Sequence, residues 1–347
     1  MNAEHIETLL IKRPDRLQLC AFADLVSRPP APWQIRGVLR EQSVSLLYGR
    51  RGCYKSFLAL DLAASLATGE PWHTHAVLTP GFVVYVAGEG GGGMVQRARA
   101  WSEEHQCNPR HIRMAFITEP LMMTADSDDV EILIHRIRDA INWQPQGYDP
   151  EVNTEYDQPV AREWPVLIVI DTLARCFFGN ENAPEDMGQF IQGVDRVKQE
   201  FNTSVLILHH TGRDESHERG HTSLASACDT IYRVDHDADT QSLTLTNEKM
   251  KDSREPVPLE LSYREVRVSR YAHDDSDENL TSVIIESAAQ SVQHKTEGLL
   301  ELLDAGSLTW AEWLHGSTLP KTTFNRLIVG LVKNKEIVKE NGSYRKC

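Results

Sequence analysis

The sequence predicts an α/β fold built on a mainly parallel sheet, with a small helical module at its C-terminal end. Three observations carry that expectation. Four short apolar runs, VSLLY (44–48), FVVYVA (82–87), VLIVID (166–171) and SVLILHH (204–210), are rich in β-branched residues or leucine. Amphipathic stretches of helical length separate them, which is the alternation of βαβ units whose strands are buried on both faces. The stretch GRRGCYKS, Gly49 to Ser56, nearly fits the phosphate-loop pattern G-x-x-x-x-G-K-[ST] and lies between a strand and a helix.

The 347 residues allow one large α/β domain with an appendage, and 41% apolar content supplies a core. Residues 1–40 are expected to be a strap or linker, 41–290 the main domain and 291–347 a small separate domain. No run of about 18 apolar residues exists, so no membrane span is expected. The N-terminus lacks a charged-then-apolar leader, which makes a cytoplasmic location the expectation. Six cysteines without a C-x-x-C pair point to reduced thiols rather than to a disulfide framework. Fourteen histidines invite a metal reading, yet no metal held by His and Cys alone is expected. A net charge of −14 excludes a uniformly basic, nucleic-acid-coating surface. It leaves room for a local basic patch, and residues 321–347 carry seven Lys/Arg against two Glu.

Along the chain, a short helix and the Pro-rich RPPAPWQI lead into the strand VSLLY. The loop that follows offers Gly49, Arg50, Arg51, Gly52, Cys53, Tyr54, Lys55, Ser56 and Phe57 to a nucleotide. Such a loop turns successive backbone N–H groups toward phosphate oxygens, with a helix N-terminus behind them. Lys55 is the point charge for the phosphates and Ser56 the hydroxyl for Mg²⁺. Tyr54 replaces the last glycine of the pattern. The substitution is tolerable if its backbone holds negative φ, and Tyr54→Gly is then expected to keep or raise ATP affinity. The helix KSFLALDLAASLATG stops at Gly69.

The next strand ends in Glu89 and is expected beside the phosphate-loop strand, which would make Glu89 a general base; a solvated turn acid is the plain alternative. Gly90 to Gly93 imply a loop that can approach a ligand. Asp171 ends VLIVID and is the second Mg²⁺ residue such a loop demands. The polar stretch 143–165 reads as a surface insertion. A helix over 186–201 leads into SVLILHH, whose His209 and His210 either sense the γ-phosphate or are one core and one surface histidine. TIYRV (230–234) and SLTLTN (242–247) read as edge strands or a hairpin, and HDDSDENL (273–280) as the close of the main domain.

From about Ser291, three helices and a hairpin around Asn-Gly follow. That order is a winged-helix arrangement, with Lys321, Thr322, Thr323, Asn325 and Arg326 on the expected recognition helix for DNA. A protein-docking or merely structural module shares the pattern.

The ordered series GRRGCYKSFLALDLAASLATGEPW, VVYVAGEGGGG with RARAW, VLIVIDTLARCFFGNEN, LILHHTGR and RGHTSLASACD resembles the RepA-like ATPases, over roughly residues 30–265. These belong to the RecA/DnaB branch of P-loop proteins and occur on plasmids and phages as hexameric replicative helicases. The resemblance implies a RecA-like core with ATP and Mg²⁺ bound between subunits of a homo-oligomer, expected to be a hexamer. It casts Glu89 as catalytic glutamate, Asp171 as Walker B acid and His210, with His209, as sensor. Lys249 and Lys251 resemble the K-x-R fingers that a neighbouring subunit contributes in DnaB-type helicases, and Arg219 is a second candidate. Lys where that pattern carries Arg weakens the match, since Lys cannot make the bidentate fork, and all three residues read equally as solvated cations. TGRDESHERGHTS (211–223) reads as an inner-channel loop or a plain surface loop. The function these features imply is an ATP-hydrolysing motor on single-stranded DNA, a replicative helicase of a plasmid or phage. The alternatives are an ATP-dependent DNA-binding switch without unwinding, and a binding module with a degenerate loop.

Overall fold

The four apolar runs form strands in a computed structural model, which describes residues 19–89, 91–140, 164–212, 222–268, 280–317 and 319–347. Two compact units divide the chain, 1–32 and 33–347. The described part of the first carries one helix, α1 (Phe22–Val26), with Phe22, Leu25 and Val26 exposed.

In the second unit a hairpin of β1 (Trp33–Ile35) and β2 (Leu39–Arg40) precedes the main sheet. Its strands are β3 (Val44–Gly49), β4 (Val83–Ala87), β5 (Met114–Ile117), β6 (Leu167–Asp171), β7 (Ser204–His210), β8 (Thr230–Asp237), β9 (Ser242–Met250), β10 (Leu259–Arg267) and β11 (Thr281–Ser287). They lie in the order β11-β10-β9-β8-β3-β7-β6-β4-β5. Pairing is parallel from β8 to β5 and antiparallel from β8 to β11. The mainly parallel sheet is therefore present.

One placement differs from expectation. The strand that leads to Glu89, β4, is not beside β3, because β7 and β6 lie between them. Crossover connections carry the chain outward first, and later strands fill the gap. Of the two readings of TIYRV and SLTLTN, the hairpin is the one present: β8 pairs antiparallel with β9 and parallel with β3, and β10 and β11 extend the sheet beyond β9.

The helices of this unit are α2 (Lys55–Thr68), α3 (Gly92–Glu104), α4 (Asp128–Ala140), α5 (Pro184–Phe201) and α6 (Ser223–Ala227) in the main part, then α7 (Ala288–Leu302), α8 (Trp310–Ser317) and α9 (Lys321–Lys333). Helix α5 starts on Pro184 with Glu185 and Asp186 in its first turn and closes on Asn202 in the left-handed region. That is the start and stop chemistry helices favour. Its apolar stripe (Met187, Phe190, Val194, Val197, Phe201) covers one face of the sheet together with α4.

Helix α2 is different, since eleven of its fourteen residues are buried, on every side. A helix that is apolar all round must be enclosed. Leu58, Leu62 and Leu66 share one core with Val83, Leu167 and Val169 of the parallel strands and with Leu243, Leu261 and Ile285 of the antiparallel strands. Each leucine contributes about 1.5–3 kcal/mol by leaving water. Among these apolar groups Asp61 is 3% exposed. Its carboxylate accepts one hydrogen bond from the Trp72 indole N–H and one from that of Trp101, both at 2.8 Å. His73 Nε2 lies 3.1 Å from the same group. This cluster ties α2 to α3.

At the C-terminal end, α7, α8 and α9 pack with a small sheet of order β12-β14-β13, formed by β12 (Leu308–Thr309), β13 (Ile337–Glu340) and β14 (Ser343–Lys346). The expected hairpin turn is present, with Asn341 and Gly342 both at positive φ. Trp313, Phe324, Leu327 and Leu331 form a separate core there. No helix among the described residues is long and apolar enough to cross a membrane.

Removing the Asp61 carboxylate leaves two buried indole donors without an acceptor, at ~1–3 kcal/mol each. Asp61→Ala is expected to lower the free energy of unfolding in urea by ~2–5 kcal/mol, and Asp61→Asn by less. An unchanged urea midpoint for the alanine variant would sink this role.

Candidate active site

The C-terminal ends of β3, β6 and β7 and the turn after β4 carry the chemistry-bearing residues. Register explains why they meet. Gly49 stands opposite His210 of β7 and Val234 of β8, and Ala87 opposite Asp171. A Cβ at Gly49 would lie 2.5 Å from the Val234 carbonyl oxygen and 2.8 Å from Cys53 Sγ, so only glycine fits where the loop leaves the sheet. Thr211 N–H donates to the Gly49 carbonyl (3.2 Å), which fastens the end of β7 to the loop.

Lys55 is 5% exposed. Its ammonium donates to the carbonyls of Gly49 (3.0 Å) and Arg50 (2.7 Å), and Cys53 Sγ lies 3.6 Å away. Burial pulls the Lys55 amine below its ordinary pKa and pushes the Cys53 thiol up, so Cys53 packs as a neutral group. Ser56 Oγ donates to Asp171 Oδ1 (3.1 Å), and the Tyr85 hydroxyl donates to Asp171 Oδ2 (2.7 Å). Burial pushes the Asp171 carboxyl up, against the two hydroxyls that hold it down.

Glu89 has a half-exposed side chain (52%) on the turn after β4. The Gly88 N–H donates to the Asp171 carbonyl at 2.7 Å, which anchors that turn to β6. Thr172 Oγ1 donates to Glu89 Oε1 (3.2 Å), and His210 Nε2 lies 3.9 Å from the same oxygen. Of the histidine pair, His210 faces the site and His209 is fully buried in the sheet. Burial first, then the Lys55 charge, lowers the His210 pKa, so its ring is neutral at pH 7.

The backbone of Tyr54 contradicts its expectation. It is left-handed, at φ 63° and ψ 21°, and not at negative φ. That conformation costs a non-glycine residue ~1–2 kcal/mol. The offset comes from rings. Tyr54 stacks on Tyr263 of β10 at 4.2 Å between centroids and meets His236 and Phe57 at 5.2 and 5.7 Å. An aromatic pair contributes ~0.5–1.5 kcal/mol beyond its buried area. Arg50, Arg51, Cys53, Val234, Asp235 and His236 line an adjoining cavity of about 400 Å³.

Three participants escaped the sequence reading. Tyr85 sits inside an apolar strand, where a hydroxyl leaves no periodic mark. Thr172 follows Asp171 but signals nothing alone. Arg97 of α3 lies with its guanidinium 4.5 Å from the Phe57 ring centroid, and its charge bears on Asp171 and Tyr85. It stands in the RARAW stretch of the family resemblance, but nothing there names its contact.

The other candidates lie elsewhere. Lys249 caps α6, donating to the carbonyls of Ala225 (2.9 Å), Ser226 (3.3 Å) and Cys228 (2.6 Å). Lys251 is 3.5 Å from Asp229. Arg219, Gly90 and most of 211–223 fall outside the described residues. On α9, Lys321, Thr322, Asn325 and Arg326 share the exposed face, whereas Thr323 is 6% exposed and belongs to the module's core. Thr323 is therefore withdrawn as a surface contact. Trp310 Nε1 donates to Asn325 Oδ1 (3.0 Å), and Lys321 Nζ lies 5.3 Å from the Trp310 ring centroid.

These residues fit a nucleotide with Mg²⁺. A backbone cradle that a Cβ at Gly49 would fill, a buried lysine amine and a hydroxyl–carboxylate pair of hard oxygen donors are the required parts. Among the described residues no three His, Cys, Asp or Glu side chains gather as metal ligands; Ser56 and Asp171 would hold such an ion with further oxygens from phosphate and water.

Comparison with known proteins gives a matching family model, described as an AAA domain, over residues 12–216. No curated protein matches the chain. Among solved structures, the RadB recombinase aligns at 16% identity and a TM-score of 0.42, over 64% of this chain and 87% of that one. A KaiC-like protein from the hyperthermophilic archaeon Pyrococcus horikoshii OT3 aligns at 14% identity and a TM-score of 0.42, over 67% and 89%.

Because the folded pKa of His210 is depressed, the unfolded chain binds the proton more readily as pH falls below the unperturbed value near 6.5. Stability contributed by neutral His210 is thus present above that pH and lost below it. Urea midpoints of wild type and His210→Gln are expected to converge or cross between pH 7 and 5, the wild type falling faster. Parallel profiles would refute the shift.

Proposed function

The chain belongs to the AAA domain family, and on that premise we propose that it is an ATP-hydrolysing, ring-forming motor that acts on DNA. One observation carries the hydrolytic part: Lys55, the Ser56–Asp171 pair and Glu89 with Thr172 and His210 converge at the ends of neighbouring strands. Lys55 holds the β- and γ-phosphates as a point charge, exchanging its loop carbonyls for phosphate oxygens. Ser56 and Asp171 would hold Mg²⁺, which neutralises charge that develops on the phosphates. Glu89 orients the attacking water and accepts its proton. Thr172 fixes the Glu89 carboxylate, and neutral His210 reports on it to the chain beyond β7.

The DNA-binding part rests on the C-terminal module, read as a winged helix. Its helix–strand–helix–helix–hairpin order presents α9 with an exposed row of Lys321, Thr322, Asn325 and Arg326. Together with the RepA-like resemblance, these features support a replicative helicase of a plasmid or phage, assembled as a homohexamer around single-stranded DNA. A second reading keeps the ATPase and drops unwinding, leaving a nucleotide-switched DNA-binding protein. What favours it is Lys249, whose amine is committed to the α6 carbonyls of its own chain rather than to a neighbour's site.

ATPase activity with and without single-stranded DNA, measured beside oligomeric state, tests the proposal. Lys55→Ala is expected to abolish turnover. Glu89→Gln is expected to bind ATP normally and slow hydrolysis by roughly 10²–10⁴-fold. Normal hydrolysis by Lys55→Ala would overturn the site. Strand displacement on forked DNA separates motor from switch, since robust ATPase without unwinding favours the switch.

For the module, Arg326→Ala and Lys321→Ala are each expected to weaken duplex binding and to reduce the salt slope by about 1. A slope unchanged in both variants would remove α9 from the DNA interface.

A further inference from the structure

Tyr54 holds the backbone conformation that glycine adopts freely, in the loop that grips phosphate. Its side chain makes no cap hydrogen bond to α2. The restraint comes from strands outside the phosphate loop. The Tyr263 ring of β10 lies nearly parallel to Tyr54, at 29° and 4.2 Å, and His236 of β8 meets it edge-on at 80°. His236 Nε2 and the Tyr263 hydroxyl are 3.0 Å apart, so the two supporting rings are themselves joined. Burial and the neighbouring Tyr54 push the Tyr263 phenol up to about 12, which keeps it neutral across ordinary pH. On the other side Phe57 of α2 continues the row to Arg97 of α3.

We infer that Tyr54 and Tyr263 form an aromatic strut that sets the shape of the phosphate loop in place of the missing glycine. Nucleotide affinity then depends on a residue of β10, a strand that supplies no group to the phosphates. Tyr263 is a positioning residue in this scheme, acting only through Tyr54. The inference rests on the nucleotide-binding reading above, and it makes one demand that reading does not. The importance of Tyr263 must vanish when position 54 is glycine, because glycine holds the left-handed backbone without support.

A double-mutant cycle tests this, read as the Kd of Mg·ADP carrying a fluorescent ribose label and as melting temperature with and without Mg·ADP. Tyr263→Ala alone is expected to raise Kd by about tenfold, the scale of one lost aromatic contact. Tyr263→Phe, which keeps the ring and loses only the hydroxyl, is expected to retain most of the affinity. In a Tyr54→Gly background, Tyr263→Ala is expected to add less than about twofold. In turnover assays the single variant is expected to raise KM and leave kcat within about twofold, the pattern of lost ground-state positioning. Should Tyr263→Ala melt too low for titration, Tyr263→Leu fills the volume without a ring face and serves in its place.

Equal effects of Tyr263→Ala on Kd in the wild-type and Tyr54→Gly backgrounds would overturn the strut while leaving nucleotide binding intact. Absence of saturable Mg·ADP binding by the wild-type chain would overturn the nucleotide reading itself. The two failures are thereby distinct.

Discussion

Everything in the main domain depends on the enclosure of one helix. Helix α2 begins with Lys55 and Ser56 at the site and carries Asp61 near its middle, and eleven of its fourteen residues are buried. Residues of the parallel strands and of the antiparallel extension β9–β11 share one core with it, so the helix has no broad solvent face to rotate toward. Close packing of that kind resists small displacements. The Asp61 carboxylate, held by two indoles, fixes α2 against α3 and so links the phosphate loop to the helix that follows the Glu89 turn.

That enclosure gives the strand ends their meaning. In a parallel sheet the carboxyl ends of the strands open on one side, and groups there share a crevice. Gly49, Ala87, Asp171 and His210 occupy that side by register alone. The side chains then sort by pleat. His209 turns into the core, while His210, one residue on, reaches Glu89. Burial lowers the pKa of Lys55 and His210 and raises that of Asp171, the direction in which each charge becomes easier to exchange for a partner.

Much of this was legible in the sequence, for identifiable reasons. β3, β4, β6 and β7 are continuous apolar runs, and buried parallel strands advertise themselves in that way. Lys55, Ser56, Asp171 and Glu89 stand at the ends of those runs, where position and chemistry coincide. β10, in contrast, mixes Glu, Arg and Ser with its apolar residues and is buried only at Leu261 and Ser262, so neither a continuous apolar run nor a clean alternation marks it. The place of β4 was also out of reach, since strand order is set by crossovers that leave no local trace. Tyr85 and Arg97 act across the fold, through Asp171 and Phe57, and no spacing in the chain announces such pairs.

Tyr54 shows why a consensus glycine is not one demand but several. At Gly49 the demand is space: a Cβ would strike the Val234 backbone, whatever the φ. At Gly52 it is conformation, with φ at 76° and nothing within 4 Å of a would-be Cβ. Position 54 also demands positive φ, at 63°, yet its side chain leaves the loop and finds three rings. A residue other than glycine is admissible only where the demand is conformational and another contact offsets its cost. The loop therefore tolerates a side chain at 54 and would not at 49. Its departure from the pattern marks a change in what holds the loop, from local backbone freedom to packing against β8 and β10.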